Sequence, residues 1–286
     1  MTTSRTVTVG VDGSESALDA VRWAAEEVRL RGGRLRLVHA ESPLFDAPDL
    51  ERRVRAALRE ASWRVVREAA EVVDPLVELE VHVEVGGPAQ VLAVESAHAA
   101  LLVLGTRGLG GFGALAVGST AIAVTSHAAC PVVVVRGDKP TRPGPVVVGV
   151  HGGPHSVPVL AKAFAEASAR GAGVVAVHAW HPVVGDVVAM SAGIDLAEYD
   201  ALHGGRLARL VSPWRAKYRD VPVELVVDRG SASAVLLGRA EDAALVVVGG
   251  RGRNSLTGLL LGSTSHALLH HAPCPVMVVH TPAEDT

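Results

Sequence analysis

The sequence predicts two tandem α/β domains, each an open five-stranded parallel sheet with helices on both faces. Three observations carry this expectation. The chain of 286 residues is written twice: AALLVLGTRG at 99–108 returns as AALVVVGGRG at 243–252, 144 positions later. Within each copy, short β-branched apolar runs alternate with segments of helical periodicity, the pattern of parallel strands joined by crossover helices. Apolar residues make up 49% of the chain against 20% charged, and aromatics only 3%, so two packed cores are affordable and must be built from Val, Leu and Ala.

The repeat extends well beyond that one stretch. Gly86 maps to Gly230, Gly105 to Gly249, Gly118-Ser119-Thr120 to Gly262-Ser263-Thr264, His127 to His271, and Cys130-Pro131-Val132 to Cys274-Pro275-Val276, all at the same offset. Earlier in each copy the offset is 139: Val9-Gly10-Val11 matches Val148-Gly149-Val150, and Val38-His39-Ala40 matches Val177-His178-Ala179. A small insertion therefore falls between His178 and Gly230. The boundaries predicted are a first domain over 1–138 and a second over 145–286, with the Pro- and Gly-rich stretch 137–144 as linker.

Each element has a local reason. Thr6–Val11 is a β-branched run closed by Asp12-Gly13-Ser14, a turn rich in helix-capping residues. Ala17–Leu30 carries apolar residues at helical spacing (Ala17, Val21, Ala24, Ala25, Val28) and stops at Gly32-Gly33. Arg34–Ala40 is a second strand. Ala47–Val72 reads as a helix with Arg and Glu on a solvated face, and Val77–Val85 alternates apolar and acidic like an edge strand. Pro88–Ala97 is a short helix, Leu101–Leu104 a buried strand, Ser119–His127 a helix after a glycine-rich loop, and Val132–Val135 the last strand. The second copy predicts strands at Val146–Val150, Val174–Ala179, Val223–Val227, Leu245–Val248 and Val276–Val279.

Sheets of this kind bind ligands at the carboxyl ends of their strands, where the strand order reverses. That end collects Gly10, Asp12, Ala40 and the loop after Leu104 in the first copy, and His151, Ala179 and the loop after Val248 in the second. The loop holds the chemistry. Gly105, Thr106, Arg107 and Gly108 are followed by nine residues and then Gly118-Ser119-Thr120; Gly249, Gly250, Arg251 and Gly252 are followed by nine and then Gly262-Ser263-Thr264. Glycines allow close backbone approach to a ligand, and successive amides leading into a helix N-terminus suit an anion. Ser119 and Ser263 add a hydroxyl there. The plainer reading, turn glycines and a capping serine, has the same sequence signature.

The combined pattern G-x2-G-x9-G-[ST], preceded by a strand ending Val-x-Gly and followed by a Cys-Pro-Val strand, resembles the universal stress protein family; so do the opening Val9-Gly10-Val11-Asp12-Gly13-Ser14 and the Val38-His39-Ala40 strand end. The resemblance covers essentially the whole chain as a tandem pair. It implies Rossmann-like domains of the adenine nucleotide α-hydrolase-like fold that bind ATP, with or without Mg2+, or another adenine nucleotide. It further implies that Asp12 contacts the nucleoside, that the backbone at Ala40 meets adenine, and that Gly105, Gly108, Gly118 and Ser119 hold ribose and phosphates. Ala179, Gly249, Gly252, Gly262 and Ser263 correspond in the second copy. A stress-responsive regulator acting as a homodimer with a protein partner is the implied role. One departure stands out: the second copy has His151-Gly152-Gly153-Pro154 where the first has Asp12-Gly13-Ser14. A neutral imidazole offers one acceptor where a carboxylate offers several, so the second site is expected to bind nucleotide more weakly or without metal.

Other features point away from fast catalysis, from nucleic acid and from a membrane. No lysine follows either glycine loop, so neither is a phosphate-binding loop of the G-x4-G-K-[ST] kind. Arg107 and Arg251 supply positive charge, yet no base stands beside them in the sequence, so at most slow ATP hydrolysis is expected. The competing reading is an enzyme of the related ATP pyrophosphatase or adenylylating type. A net charge of −3 supplies no broad positive field for nucleic acid, and the arginines of 52–67 interleave with glutamates. No apolar run reaches the length of a membrane span, and two cysteines make no disulfide framework, so a cytoplasmic protein is expected. His266, His270 and His271 include an i, i+4 pair without a third ligand type nearby, and Cys130 and Cys274 read as packing residues.

Overall fold

Parallel strands buried on both faces read as continuous apolar runs, and the central strands of each half are built from such runs. A computed structural model of the protein describes residues 5–41, 52–108, 117–136, 142–153, 155–181, 196–250 and 261–280. The chain divides into two compact units, residues 1–141 and 142–286.

In the first unit, β1 (Thr6–Gly10), β2 (Arg34–Glu41), β3 (Glu78–Val85), β4 (Leu101–Gly105) and β5 (Val132–Val135) lie in the order β3-β2-β1-β4-β5, all parallel. They alternate with α1 (Glu15–Arg31), α2 (Arg52–Ala70), α3 (Pro88–Ser96) and α4 (Ser119–His127). The second unit repeats this with β6 (Val146–Gly149), β7 (Val174–Trp180), β8 (Val223–Arg229), β9 (Leu245–Gly249) and β10 (Val276–Val279) in the order β8-β7-β6-β9-β10. Its helices are α5 (Ser156–Arg170), α6 (Leu196–Lys217), α7 (Ala232–Ala240) and α8 (Ser263–His271). The predicted fold class and every predicted strand are present. The start of the predicted 47–72 helix lies outside the described residues up to 51, as does most of the 137–144 linker.

Burial follows the sequence pattern. All four residues of β5 and all four of β10 are buried, whereas β3 keeps its charged positions at the surface as an edge strand. Arg34 and Arg36 of β2 bridge to Glu80 of that edge at 2.7 and 2.9 Å, and these bonds, Arg34 first and then Arg36, hold the Glu80 carboxyl below its ordinary range. Helix α1 turns Ala17, Ala20, Val21, Ala24 and Val28 inward, and α5 turns Val159, Leu160, Ala163, Phe164 and Ala167. Each also buries one glutamate, Glu27 and Glu166, paired with an arginine one turn on, Arg31 and Arg170. Among the described residues no helix is long and apolar enough to cross a membrane.

The strand order places the reversal at β1, which pairs with β2 on one side and β4 on the other. The same holds for β6, between β7 and β9. Diverging chains leave a crevice beyond the carboxyl ends of these strands.

Candidate functional site

In the first unit that crevice is a cavity of about 440 Å³, within the range of small-molecule sites. Every first-half residue singled out from the sequence lines it: Gly10, Asp12, Ala40, Gly105, Arg107, Gly108, Gly118, Ser119 and Thr120. Apolar walls come from Val11, Val38, Leu92, Leu104 and Val117.

The turn after β1 is tied internally. The Asp12 carboxylate accepts from the Ser14 amide at 3.0 Å and the Ser14 hydroxyl at 2.7 Å, and the same hydroxyl caps α1 by accepting from the Ala17 amide. The single Ser14 hydroxyl proton is shared between Asp12 and the Arg107 carbonyl, 3.1 Å from Oγ, while the Arg107 amide donates to Ser16 Oγ at 3.3 Å. Ser16 Oγ in turn lies 3.2 Å from the Thr106 hydroxyl. The Ser14 and Ser16 hydroxyls thus clamp the backbone of Arg107, with the Thr106 hydroxyl against Ser16, and fix the start of the glycine loop before any ligand arrives.

The loop glycines divide by what crowds them. A Cβ at Gly105 would lie 2.5 Å from the Ser16 carbonyl oxygen, so that glycine is required by the close approach of α1, not by a ligand as the motif alone suggests. A Cβ at Gly108 would collide with the Asp12 carboxylate. Gly118 is different. Its backbone is extended, any residue could adopt it, and a Cβ there would meet nothing closer than the Thr106 carbonyl oxygen at 3.5 Å. Among the described residues no neighbouring atom demands a glycine at 118, and the position faces the cavity.

Gly118 is the N-cap of α4 with no side-chain cap, so the first amides of the helix, Ser119 to Ala121, are left to the cavity they line. The Gly118 amide itself donates to the Thr106 carbonyl at 2.7 Å and fixes the entry angle. The helix dipole adds partial positive charge at that point. Arg107 adds a full charge in the lining, and Arg136, which sequence reasoning passed over, stands near Arg107 outside the lining. Arg136 follows Val135, the residue paired with Gly105 across β4 and β5. Burial, and then the nearby Arg107, press the Arg136 guanidinium below its ordinary value.

Two histidines at strand ends also have a role that periodicity did not reveal. His39 Nδ1 lies 2.8 Å from the Val11 carbonyl, and His178 Nδ1 lies 2.8 Å from the Val150 carbonyl. A carbonyl only accepts, so each ring donates from Nδ1 and pins the turn after the first strand of its half.

In the second unit, Gly249, Gly262, Ser263 and Thr264 sit as their counterparts do. The Gly262 amide donates to the Gly250 carbonyl at 2.7 Å, and Gly262 caps α8 without a side-chain bond. Ala179 ends β7 next to Trp180, and the His151 amide donates to Ser156 Oγ at 3.2 Å. Arg251 and Gly252 lie outside the described residues. Among the described residues no group of three or more His, Cys, Asp or Glu could hold a metal; His266 and His270 stand 4.5 Å apart, ring centre to ring centre, as a pair. Both cysteines are buried, and burial pushes the Cys274 thiol up to about 12.

The model of the universal stress protein family matches residues 3–136 and again 144–280. A universal stress protein of Mycolicibacterium smegmatis is 36% identical over 287 residues, covering 96% of each chain. One from Mycobacterium tuberculosis is 36% identical over 289 residues, covering 95% of this chain and 96% of its own. Among solved structures, a universal stress protein from Archaeoglobus fulgidus superposes with a TM-score of 0.71 at 19% identity, over 97% of this chain and 98% of that one. The chain therefore belongs to the universal stress protein family, as two tandem copies of its domain.

Proposed function

We propose that the first half binds ATP or a closely related adenine nucleotide and that the protein acts as a nucleotide-dependent regulator, not as a fast enzyme. The observation that carries this reading is the uncapped N-terminus of α4, opening into a 440 Å³ cavity beside a glycine that no atom of the described residues requires. Phosphates fit the amides of Ser119 to Ala121, with Arg107 and Arg136 neutralising charge that the helix dipole alone cannot. The apolar wall of Val38 and Leu92 and the strand end at Ala40 suit the base, and Asp12 suits ribose hydroxyls or the water shell of Mg2+. Mg2+ would be held mainly by the phosphates, since Asp12 is the sole carboxylate of the lining among the described residues.

Phosphoryl transfer needs a base or positioned acceptor. His39 lies in the lining, but its Nδ1 is committed to the Val11 carbonyl. That supports a binding role with turnover slow at most. A cytoplasmic homodimer that presents a nucleotide-dependent surface to a protein partner is the setting we infer. Calorimetric titration of the intact chain with ATP, followed by steady-state assay of released phosphate and pyrophosphate, tests the reading. Saturable binding with negligible release is expected. Fast release of either product would replace the regulator with an enzyme, and no binding would remove the nucleotide.

A further inference from the structure

We propose that nucleotide binding is confined to the first half, because the second half has filled the corresponding cleft with its own side chains; this rests on the reading of the first half given above. Three separate observations lead here.

The strand end that borders the open cavity in the first half is covered in the second on the side that faces the helix Leu196–Lys217, while Ala179 stays part-exposed like Ala40. His39 and Ala40 are part-exposed in the cavity wall, and Glu41 follows them. At the matching positions His178 is 7% exposed and Ala179 is followed by Trp180, which is 6% exposed. Helix α6 covers them. The His203 ring stacks on Trp180 at 4.8 Å and lies 5.0 Å from His178, while Tyr199 stacks on the Trp180 ring at 5.7 Å. Hydrogen bonds lock the cluster: His178 Nε2 is 2.9 Å from His203 Nδ1, and Trp180 Nε1 donates to Asp200 at 3.0 Å. Because His178 Nδ1 donates to the Val150 carbonyl, its Nε2 in the neutral ring accepts from His203. Arg229, paired with Asp200, closes over the Trp180 ring.

The turn after β6 is covered as well. A Cβ at Gly152 would lie 3.4 Å from Arg206 Nε and 3.4 Å from His178 Cε1, so the α6 arginine lies against the backbone beside His151. His151 itself replaces the carboxylate of Asp12.

Finally, the hydroxyl-bearing residues of the glycine-loop clamp are not repeated in the second copy. Ser14 and Ser16, which hold the Arg107 backbone, and Thr106, which supports Ser16, correspond to Gly153, His155 and Gly250. Two of the three replacements carry no side-chain polar atom. Loss of the clamp removes the preorganisation that lets a loop bind without first being ordered.

His203 and Arg206 are thus the residues of α6 that set the difference between the halves. The intact protein titrated with ATP and examined by native mass spectrometry should take up one nucleotide per chain. Photolabelling with 8-azido-ATP, followed by peptide mapping, should place the label within residues 5–136. Gly118→Val should lower the bound nucleotide from one per chain to none. Two nucleotides per chain, label on peptides of 149–180, or one nucleotide retained by folded Gly118→Val would overturn the inference while leaving a nucleotide-binding protein. Absence of any bound ATP would overturn the reading of the first half and this inference with it. The label map depends on no substitution, so it stands even if the variant fails to fold.

Discussion

Replacing Gly118 by valine separates what the fold needs from what a ligand needs. The residue has φ −71° and ψ 150°, an extended conformation open to β-branched side chains, and its Cβ would lie 3.5 Å from the Thr106 carbonyl oxygen and 3.9 Å from the Arg107 Cα. These are ordinary contacts. Gly118 caps α4 without a side-chain bond, so losing glycine there costs about 1 kcal/mol at most. In melting temperature that is about 2–4 °C for a protein of this size. Binding should respond far more. The new methyls occupy the space over the amides of Ser119 to Ala121, where an anion would take at least two charge-assisted hydrogen bonds. At about 1.5 kcal/mol each, their loss weakens ATP by about 100-fold. Gly105→Ala is the opposite control: its Cβ would meet backbone at 2.5 Å, so the fold must shift and stability should fall by about 1–3 kcal/mol. Thermal melts and calorimetry on the two variants give the comparison. A folded Gly118→Val protein with unchanged ATP affinity would refute the reasoning.

Other outcomes follow from the same geometry. Ser14→Ala removes the cap of α1, one partner of Asp12 and one side of the Arg107 clamp; stability should drop by about 1 kcal/mol and ATP affinity several-fold, read by denaturant melts and calorimetry. Cys274 should stay unmodified by a disulfide-exchange reagent at pH 8 in the folded protein and react only on unfolding, because burial holds its thiol near 12; prompt modification would show an open path to it. Glu80, drawn down by Arg34 and Arg36, and Asp200, drawn down first by Arg229, bind fewer protons folded than unfolded. Their contribution is present above the unfolded carboxylate pKa of about 4 and is lost as pH falls through the lower folded values. Melting temperature should therefore fall between pH 5 and 3, less steeply in Arg34→Ala/Arg36→Ala, and an unaltered slope in that variant would remove Glu80 from the account.

The architecture was legible because its signals are local and repeated. β-Branched runs, capping turns and a 144-residue echo are enough to draw ten parallel strands. The glycine loop was legible as a motif but not as a mechanism. Gly105 and Gly108 read like ligand-approach glycines, yet α1 and the Asp12 carboxylate claim those spaces, and only coordinates distinguish them from Gly118. Ser14 read as part of a capping turn; that it and Ser16 also grip Arg107, some ninety residues later, is a tertiary fact with no sequence period. His39 and His178 lay at noted strand ends without an evident purpose, since a ring bonded to a carbonyl 28 residues away leaves no local mark. The packing of α6 on Trp180 was out of reach for the same reason: Tyr199 and His203 fall one turn apart on a helix with little apolar bias, and their partner lies on another element.

Hydrogen exchange of the intact protein with and without saturating ATP tests the central claim most directly, because it reads the backbone amides assigned to the phosphates. The claim predicts strong protection in the peptide covering Val117 to Val124, with the Asp12 turn following and residues 149–170 unchanged. No protection at the start of α4, with ATP shown to be bound, would contradict it.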